Sequence, residues 1–479
     1  MSANTNAPLG VVFIARHGDR LGFYQSPTTY TASDTVVTPL GEVQNYQLGQ
    51  MLRSIYTGSD ASRAISGLSS TTFNGYQINA TADAGGEGSV IYDSALALWQ
   101  GFYPPNEGVS EITLANGTNV TSPLNGYQYV QVNTVIPDDD VTFEPWTNCN
   151  TWANRTTEFY NSAGFLAKQN EEAGFLNMLK TSGIVGNRSV TLPNMYNVFD
   201  YMNVNSIHNA TYAAELNATG AGTLAHVSDL ASYHEYGLFT DSSLGGLGNI
   251  AGRTLFNRII GSLETFTESD NEVKIAHYHM AYKPFLSLFN MTNIAAATNP
   301  VFEYPYAMVG YASVAVFEIR DGGSGSSGYD VRFGFKNGSS TATDVTYYPL
   351  FGSSNIDTDL ATFMGNLEPY LIPNNTDWCS LCSNNGSVDT CSEWALTEKY
   401  ESLYEQYMGK ANDSPSRAGA GGIGAGVTIV VGLALLGLMR AFGLISFGKH
   451  RPTKHDRYPL NEHGAGSYKE GSVSAASHQ

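Results

Sequence analysis

An apolar run, Val11-Val12-Phe13-Ile14-Ala15, leads directly into Arg16-His17-Gly18-Asp19-Arg20. This junction constrains the fold more than any other stretch of the chain. Branched and aromatic residues in an unbroken apolar run mark a buried strand, and Gly18 lets the backbone turn sharply after it. The turn sets a histidine between two arginines. Paired guanidiniums grip a tetrahedral oxyanion through forked hydrogen bonds. A neutral imidazole held between them is a nucleophile able to form a phosphohistidine.

Two further blocks follow in order. Thr38-Pro39-Leu40-Gly41, Gln44, Leu48-Gly49 and Leu52-Arg53 come first; Ser94-Ala95 and Gly101-Phe102-Tyr103-Pro104-Pro105 come second. In the first, Leu40, Val43, Leu48, Met51, Leu52 and Ile55 recur at helical spacing and predict a core-facing stripe. With Arg16–Arg20, these blocks resemble the signature of the histidine acid phosphatase branch of the histidine phosphatase superfamily. The resemblance implies an α/β fold: a three-layer α/β/α core sheet with an inserted helical cap. It also implies phosphomonoester hydrolysis, with His17 as nucleophile and Arg16 and Arg20 binding the phosphoryl group, and no metal or cofactor.

Two family positions differ. The family carries a third arginine four residues before the serine of the last block; here that residue is Val90, and no Lys or Arg occurs between Arg63 and Arg155. The family's second signature is a His-Asp pair, and the candidate here is Ala276-His277-Tyr278-His279-Met280. Placing His277 on the family histidine puts Ala281, Pro284, Phe285 and Leu288 on the buried face of the next helix. Placing His279 there turns Lys283, Ser287 and Asn290 inward. The first register is adopted, so His277 is the second catalytic histidine and Tyr278 stands where the acid belongs. Candidates to compensate are His279 and Lys283, on one face if the segment is helical, and Asp19. The alternative to a weakened phosphatase is a catalytically inactive protein that binds an anionic ligand or acts as a scaffold.

The core is expected in two stretches, about 8–130 and 250–395, with strands near 311–319, 329–335 and 345–350. Residues 322–328 form a hairpin loop. The cap is expected at about 150–250, with helices near 161–179 and 197–216, and its His208, His226 and His234 are read as ordinary polar residues. Tyr92, Tyr103, Tyr278 and Tyr282 are candidates to line the pocket.

Net charge is −19, and −22 for residues 1–417, which excludes nucleic acid as a natural partner. Residues 418–439 carry no charge, enough to span a bilayer as one helix. The basic residues Lys449, Arg451, Lys454 and Arg457 place the following tail in the cytoplasm. Residues 1–410 are then an ectodomain, 411–417 a juxtamembrane stalk and 440–479 a basic, then low-complexity tail. Twelve N-x-S/T sequons lie before the span: Asn79, Asn116, Asn119, Asn154, Asn187, Asn209, Asn217, Asn290, Asn337, Asn374, Asn385 and Asn412. The four cysteines, Cys149, Cys379, Cys382 and Cys391, fit structural disulfides in any of three connectivities. These features agree with a type I membrane protein whose domain is extracellular or luminal. Residues 1–8 do not read as a signal peptide, so the expectation includes a leader missing from this sequence. The oligomeric state is not legible.

Overall fold

Strand β1 (Gly10–Arg16) is buried along its whole length and forms the axis of the molecule. The computed structural model describes residues 7–27, 32–58, 61–85, 87–136, 140–294, 307–322, 328–384, 391–392 and 403. All but Leu403 belong to one unit, residues 1–399. The other strands are β2 (Ile78–Asp83), β3 (Glu111–Thr113), β4 (Asn119–Thr121), β5 (Asn133–Val135) and β6 (Ile275–Met280), then β7 (Val314–Asp321), β8 (Tyr329–Lys336), β9 (Thr346–Tyr348) and β10 (Asp357–Asp359). The main sheet runs β10-β8-β7-β1-β6-β2-β5, with β9 on β8, while β3 and β4 pair separately. β1, β6, β2 and β5 are parallel neighbours; β7, β8, β9 and β10 join antiparallel.

Alternation along β1 explains why helices cover both faces. Val11, Phe13 and Ala15 pack with Leu48, Leu52, Leu98 and Phe102, from helices α1 (Pro39–Tyr56) and α2 (Val90–Phe102). Val12 and Ile14 join the cluster holding Leu255, Phe256 and Ile259 of the helix Ile250–Thr265. α1 and α2 cross at backbone contact: a Cβ on Gly49 would stand 1.9 Å from the Leu98 carbonyl oxygen, and one on Gly101 2.0 Å from that of Tyr46. This close crossing turns α1. Gly41, Asn45, Leu48, Gly49 and Leu52 face inward, whereas Leu40 and Val43 of the expected stripe are exposed.

Seven helices separate β5 from β6 in the described chain, beginning with Asn150–Tyr160 and ending with Ile250–Thr265. The helix expected at 161–179 is two, Ala163–Glu171 and Ala173–Ser182; that at 197–216 is also two, Met195–His208 and Ala210–Ala218. The second break falls at Asn209, whose side chain caps the new helix through the Tyr212 amide. The first core stretch reaches β5, five residues past the expected limit.

Cys149 pairs with Cys382 and Cys379 with Cys391, so the C-x-x-C residues are not bonded to each other. The first bridge closes 233 residues, a loop length for which chain entropy gives about 5 kcal/mol. Among the described residues no helix is long and apolar enough to cross a membrane. The stalk 411–417, the span 418–439, the tail 440–479, Asn385 and Asn412 lie outside the described residues. Asn290 is a correction among the sequons. It is half-buried, and its amide donates to the Asp241 carbonyl and to Asn249 Oδ1, which leaves no free acceptor nitrogen. The other described sequon asparagines are exposed.

Candidate active site

The loop after β1 is pinned by the residues of the sequence blocks. A Cβ on Gly18 would stand 2.2 Å from the Gly41 carbonyl oxygen, and one on Gly41 2.1 Å from that of Asp19, so only glycines let loop and helix start touch. Thr38 Oγ1 accepts from the Gly41 amide at 3.2 Å and donates to the Asp19 carboxylate. Gln44 Oε1 accepts from the Asp19 amide at 2.9 Å, and Ser94 Oγ from the Gly18 amide at 3.1 Å.

This scaffold sets the imidazole. His17 Nδ1 lies 2.8 Å from the Gly18 carbonyl, an acceptor only, so Nδ1 carries the proton and Nε2 the lone pair. His17 is buried, and its pKa is pushed down to about 3, chiefly by burial, with Arg16 and Arg20 adding and Glu87 opposing. The ring is therefore neutral above about pH 3. Glu87 Oε2 faces Nε2 at 3.3 Å and Arg20 Nε at 3.5 Å.

Arg16 donates Nη1 to the Val309 carbonyl, and its guanidinium lies 4.5 Å from the Tyr311 ring and 5.1 Å from the Tyr282 ring. Arg20 donates to Asp200 at 2.7 Å. Burial lowers its pKa, but Asp200, Tyr311 and Glu87 outweigh burial and raise it. Both arginines line a cavity of about 160 Å³ with Asp200, Tyr282 and Tyr311. Arg16 Nε, Arg20 Nε, His17 Nε2, His279 Nε2 and Glu87 Oε2 are buried without a hydrogen-bond partner. Orphaned polar groups are costly unless a ligand satisfies them, and three of these five atoms, the two arginine Nε and His279 Nε2, are donors that suit an oxyanion.

β6 corrects the second signature. Ala15 pairs with His279 and Arg16 with Met280, and the His17 amide donates to the Met280 carbonyl. His279 thus sits at the strand end beside His17, in the place that the sequence reading gave to His277, which lies one pleat deeper. The two imidazoles share one face of the strand, and Tyr278 points to the other. There Tyr278 bonds Ser262 Oγ at 2.8 Å, so it does not replace the acid. The helical-face criterion failed because Lys283 and Ser287 are as buried as Pro284 and Phe285. His279 is on a strand and Lys283 opens the helix Lys283–Met291, so they do not share a helical face.

Hydrogen bonds fix the tautomers in this row. Trp99 Nε1 donates to His277 Nδ1 at 3.0 Å, which places the His277 proton on Nε2. That proton is given to His279 Nδ1 at 3.1 Å, leaving His279 Nε2–H as a donor. Burial lowers the His277 pKa to about 3. Burial, His277 and His17 hold His279 well below its ordinary value, so it is a neutral donor, not the imidazolium acid the sequence allowed.

The other compensating candidates are engaged. Asp19 Oδ2 takes Thr38 and, at 2.7 Å, His208 Nε2. Lys283 is buried; its charge helps to lower the pKa of Glu87 and opposes the burial that raises Glu144 and Asp83. Of the tyrosines, Tyr282 reaches the cavity. Tyr103 stacks on Trp99, and Tyr92 packs beside Ala82, Ile91, Ala95 and Ala281. His234, read as an ordinary polar residue, is buried against Glu235, which accepts from Tyr282. Sequence reasoning missed Glu87, Trp99, Asp200 and Tyr311. Only Glu87 carried a signal, a carboxylate in the loop Gly85-Gly86-Glu87-Gly88.

The sequence is 22% identical to prostatic acid phosphatase of Bos taurus over 276 residues, 56% of this chain and 64% of that protein. The chain is a divergent relative of the histidine acid phosphatases. No protein-family profile matches it. The fold of this histidine acid phosphatase relative is shared with the Hafnia alvei phytase in complex with tartrate (TM-score 0.53, 11% identity, 78% of this chain and 99% of that one). It is also shared with the phytase of Klebsiella sp ASR1 (TM-score 0.52, 13% identity, 76% and 96%).

Proposed function

We propose that the protein hydrolyses phosphomonoesters through a phosphohistidine at His17. The observation that carries this reading is the His17 Nδ1–Gly18 bond, which leaves Nε2 as the free lone pair between two arginines. Arg16 and Arg20 take the phosphoryl oxygens, and His279 Nε2–H supplies a third donor. With Val90 in place of the family's third arginine, one oxyanion contact is lost, a change that typically costs about 10²–10³ in rate. We place the domain on the luminal or extracellular side of a membrane, glycosylated and held by residues 418–439. A second reading, anion binding without turnover, draws on Val90 and on the carboxylate that Glu87 sets against His17.

The test is hydrolysis of an aryl phosphate by the full chain from pH 4 to 7, beside His17→Ala. Activity lost in the variant, with a phosphoryl group trapped on His17, supports the enzyme. Equal rates in the two proteins leave only binding.

A further inference from the structure

We propose that Glu87 is the proton-handling carboxyl of this site; the proposal rests on the phosphohistidine reading above. No residue of β6 supplies the acid: Tyr278 faces away, and Met280, which follows His279, holds no proton. Among the described residues Glu87 is the carboxylate within 4 Å of His17. It is 3% exposed and sits in the loop between β2 and α2. Gly88 at φ +62° is packed against the Thr35 carbonyl there, and Gly85 and Gly86 precede it. The facing atoms, His17 Nε2 and Glu87 Oε2, lie 3.3 Å apart and both lack a hydrogen bond, so the carboxylate stands where a phosphoryl group bound to Nε2 would displace it and keep it next to the reacting oxygens.

Charge supplies the switch. Burial raises the pKa of Glu87, but His17, Arg20, Lys283 and Arg16 outweigh it and hold the carboxyl ionised. A phosphoryl group arriving between His17 and the arginines takes the charges of Arg16 and Arg20 for itself and displaces the carboxylate from Arg20. The carboxylate then picks up the ionisable proton of a phosphomonoester monoanion. His17 Nε2 attacks phosphorus, the ester P–O bond breaks with its electron pair on oxygen, and Glu87 returns the proton to that oxygen as the alcohol leaves. Water then attacks the phosphohistidine. The N–P bond breaks with its pair on Nε2, and Glu87 passes the water proton to the departing phosphate.

The test is single-turnover phosphorylation of His17 in wild type and Glu87→Gln, with p-nitrophenyl phosphate and glycerol 2-phosphate. An aryl leaving group needs little protonation, whereas an alkyl one needs an acid worth about 10²–10⁴ in rate. The expected variant forms phosphohistidine from the aryl ester within about tenfold of wild type and accumulates it, while the alkyl reaction falls at least 10²-fold. Equal slowing on both esters, no slowing, or faster turnover would overturn the proposal, the last by making Glu87 a blocking anion. Wild type that never phosphorylates His17 would overturn the parent reading with it. Orthovanadate binding by the variant, read as a thermal shift, separates these outcomes from misfolding.

Discussion

The two strand ends that meet at the candidate site, β1 and β6, are parallel neighbours in register, yet they were not equally legible. The β1 end is held by contacts that each depend on a residue type: Gly18 against Gly41, Gln44 on the Asp19 amide, Ser94 on the Gly18 amide. Such contacts need particular residues at particular spacings, so they leave a pattern in the chain. The β6 end is built differently. All six of its residues are buried, and its histidines are organised by Trp99, which lies 178 residues away from His277. A strand covered on both faces shows no polar alternation, so nothing local tells which side a residue takes.

The largest test of that contrast bears on the two imidazoles of β6. His279→Ala removes a phosphate donor, and kcat/KM should fall about 10²–10³-fold. His277→Gln keeps an acceptor toward Trp99 and a donor toward His279, and should retain most activity, whereas His277→Phe should lose it partly. Imidazole ¹⁵N spectra should show His279 protonated on Nε2 in wild type and in His277→Gln. A stronger loss at His277 than at His279 would restore the sequence register.

On the β1 side, Gly18→Ala asks whether backbone contact sets the nucleophile. Its Cβ would meet the Gly41 carbonyl at 2.2 Å, and relief requires the loop to move by about 1 Å, a displacement that costs about 10² in rate. Phosphorylation of His17 should slow by that factor with a lowered Tm. Unchanged kinetics would mean that the close approach does not position the imidazole.

Protonation gives the next effect, in opposite directions for two groups of residues. His17, His277 and His279 are held below their ordinary value. Their unfolded forms therefore bind protons first, and stability falls as pH drops from about 6.5 toward 3. Glu144 is raised to about 7 by burial, with Lys283 opposing and Glu87 adding. Its folded form keeps a proton that the unfolded chain has lost, so stability falls as pH rises from about 4.5 to 7. Asp83 is likewise raised well above its ordinary value, by burial and then by Glu144, so urea titrations of Glu144→Gln across this range should weaken the second trend and keep the first. A variant curve parallel to wild type would show that Glu144 does not titrate differently on folding.

How much was legible follows from these particulars. The sheet axis, the loop and α1 could be read because apolar runs and glycine contacts are local. Leu48, Met51, Leu52 and Ile55 of the expected α1 stripe are buried, while Leu40 and Val43 are exposed, because the crossing at Gly49 and Gly101 sets the helix rotation. Asp200 and Tyr311 reach Arg20 and Arg16 from distant segments, and no spacing rule connects them. Glu87 was visible but unread, because a glutamate among glycines resembles a solvated turn until its carboxylate is seen against His17.

The smallest effect isolates the pleat itself. Tyr278 was expected in the site, but its hydroxyl bonds Ser262 on the opposite face, beside Phe143. Tyr278→Phe removes one hydrogen bond and keeps the ring, which should cost about 1 kcal/mol of stability and leave kcat/KM on an aryl phosphate within about twofold. A residue in the acid's position would behave in the opposite way, with little change in stability and a rate loss of about 10² or more on alkyl esters. Measuring both quantities on one variant therefore decides which face of β6 Tyr278 occupies, and with it whether His279 or His277 stands beside the nucleophile.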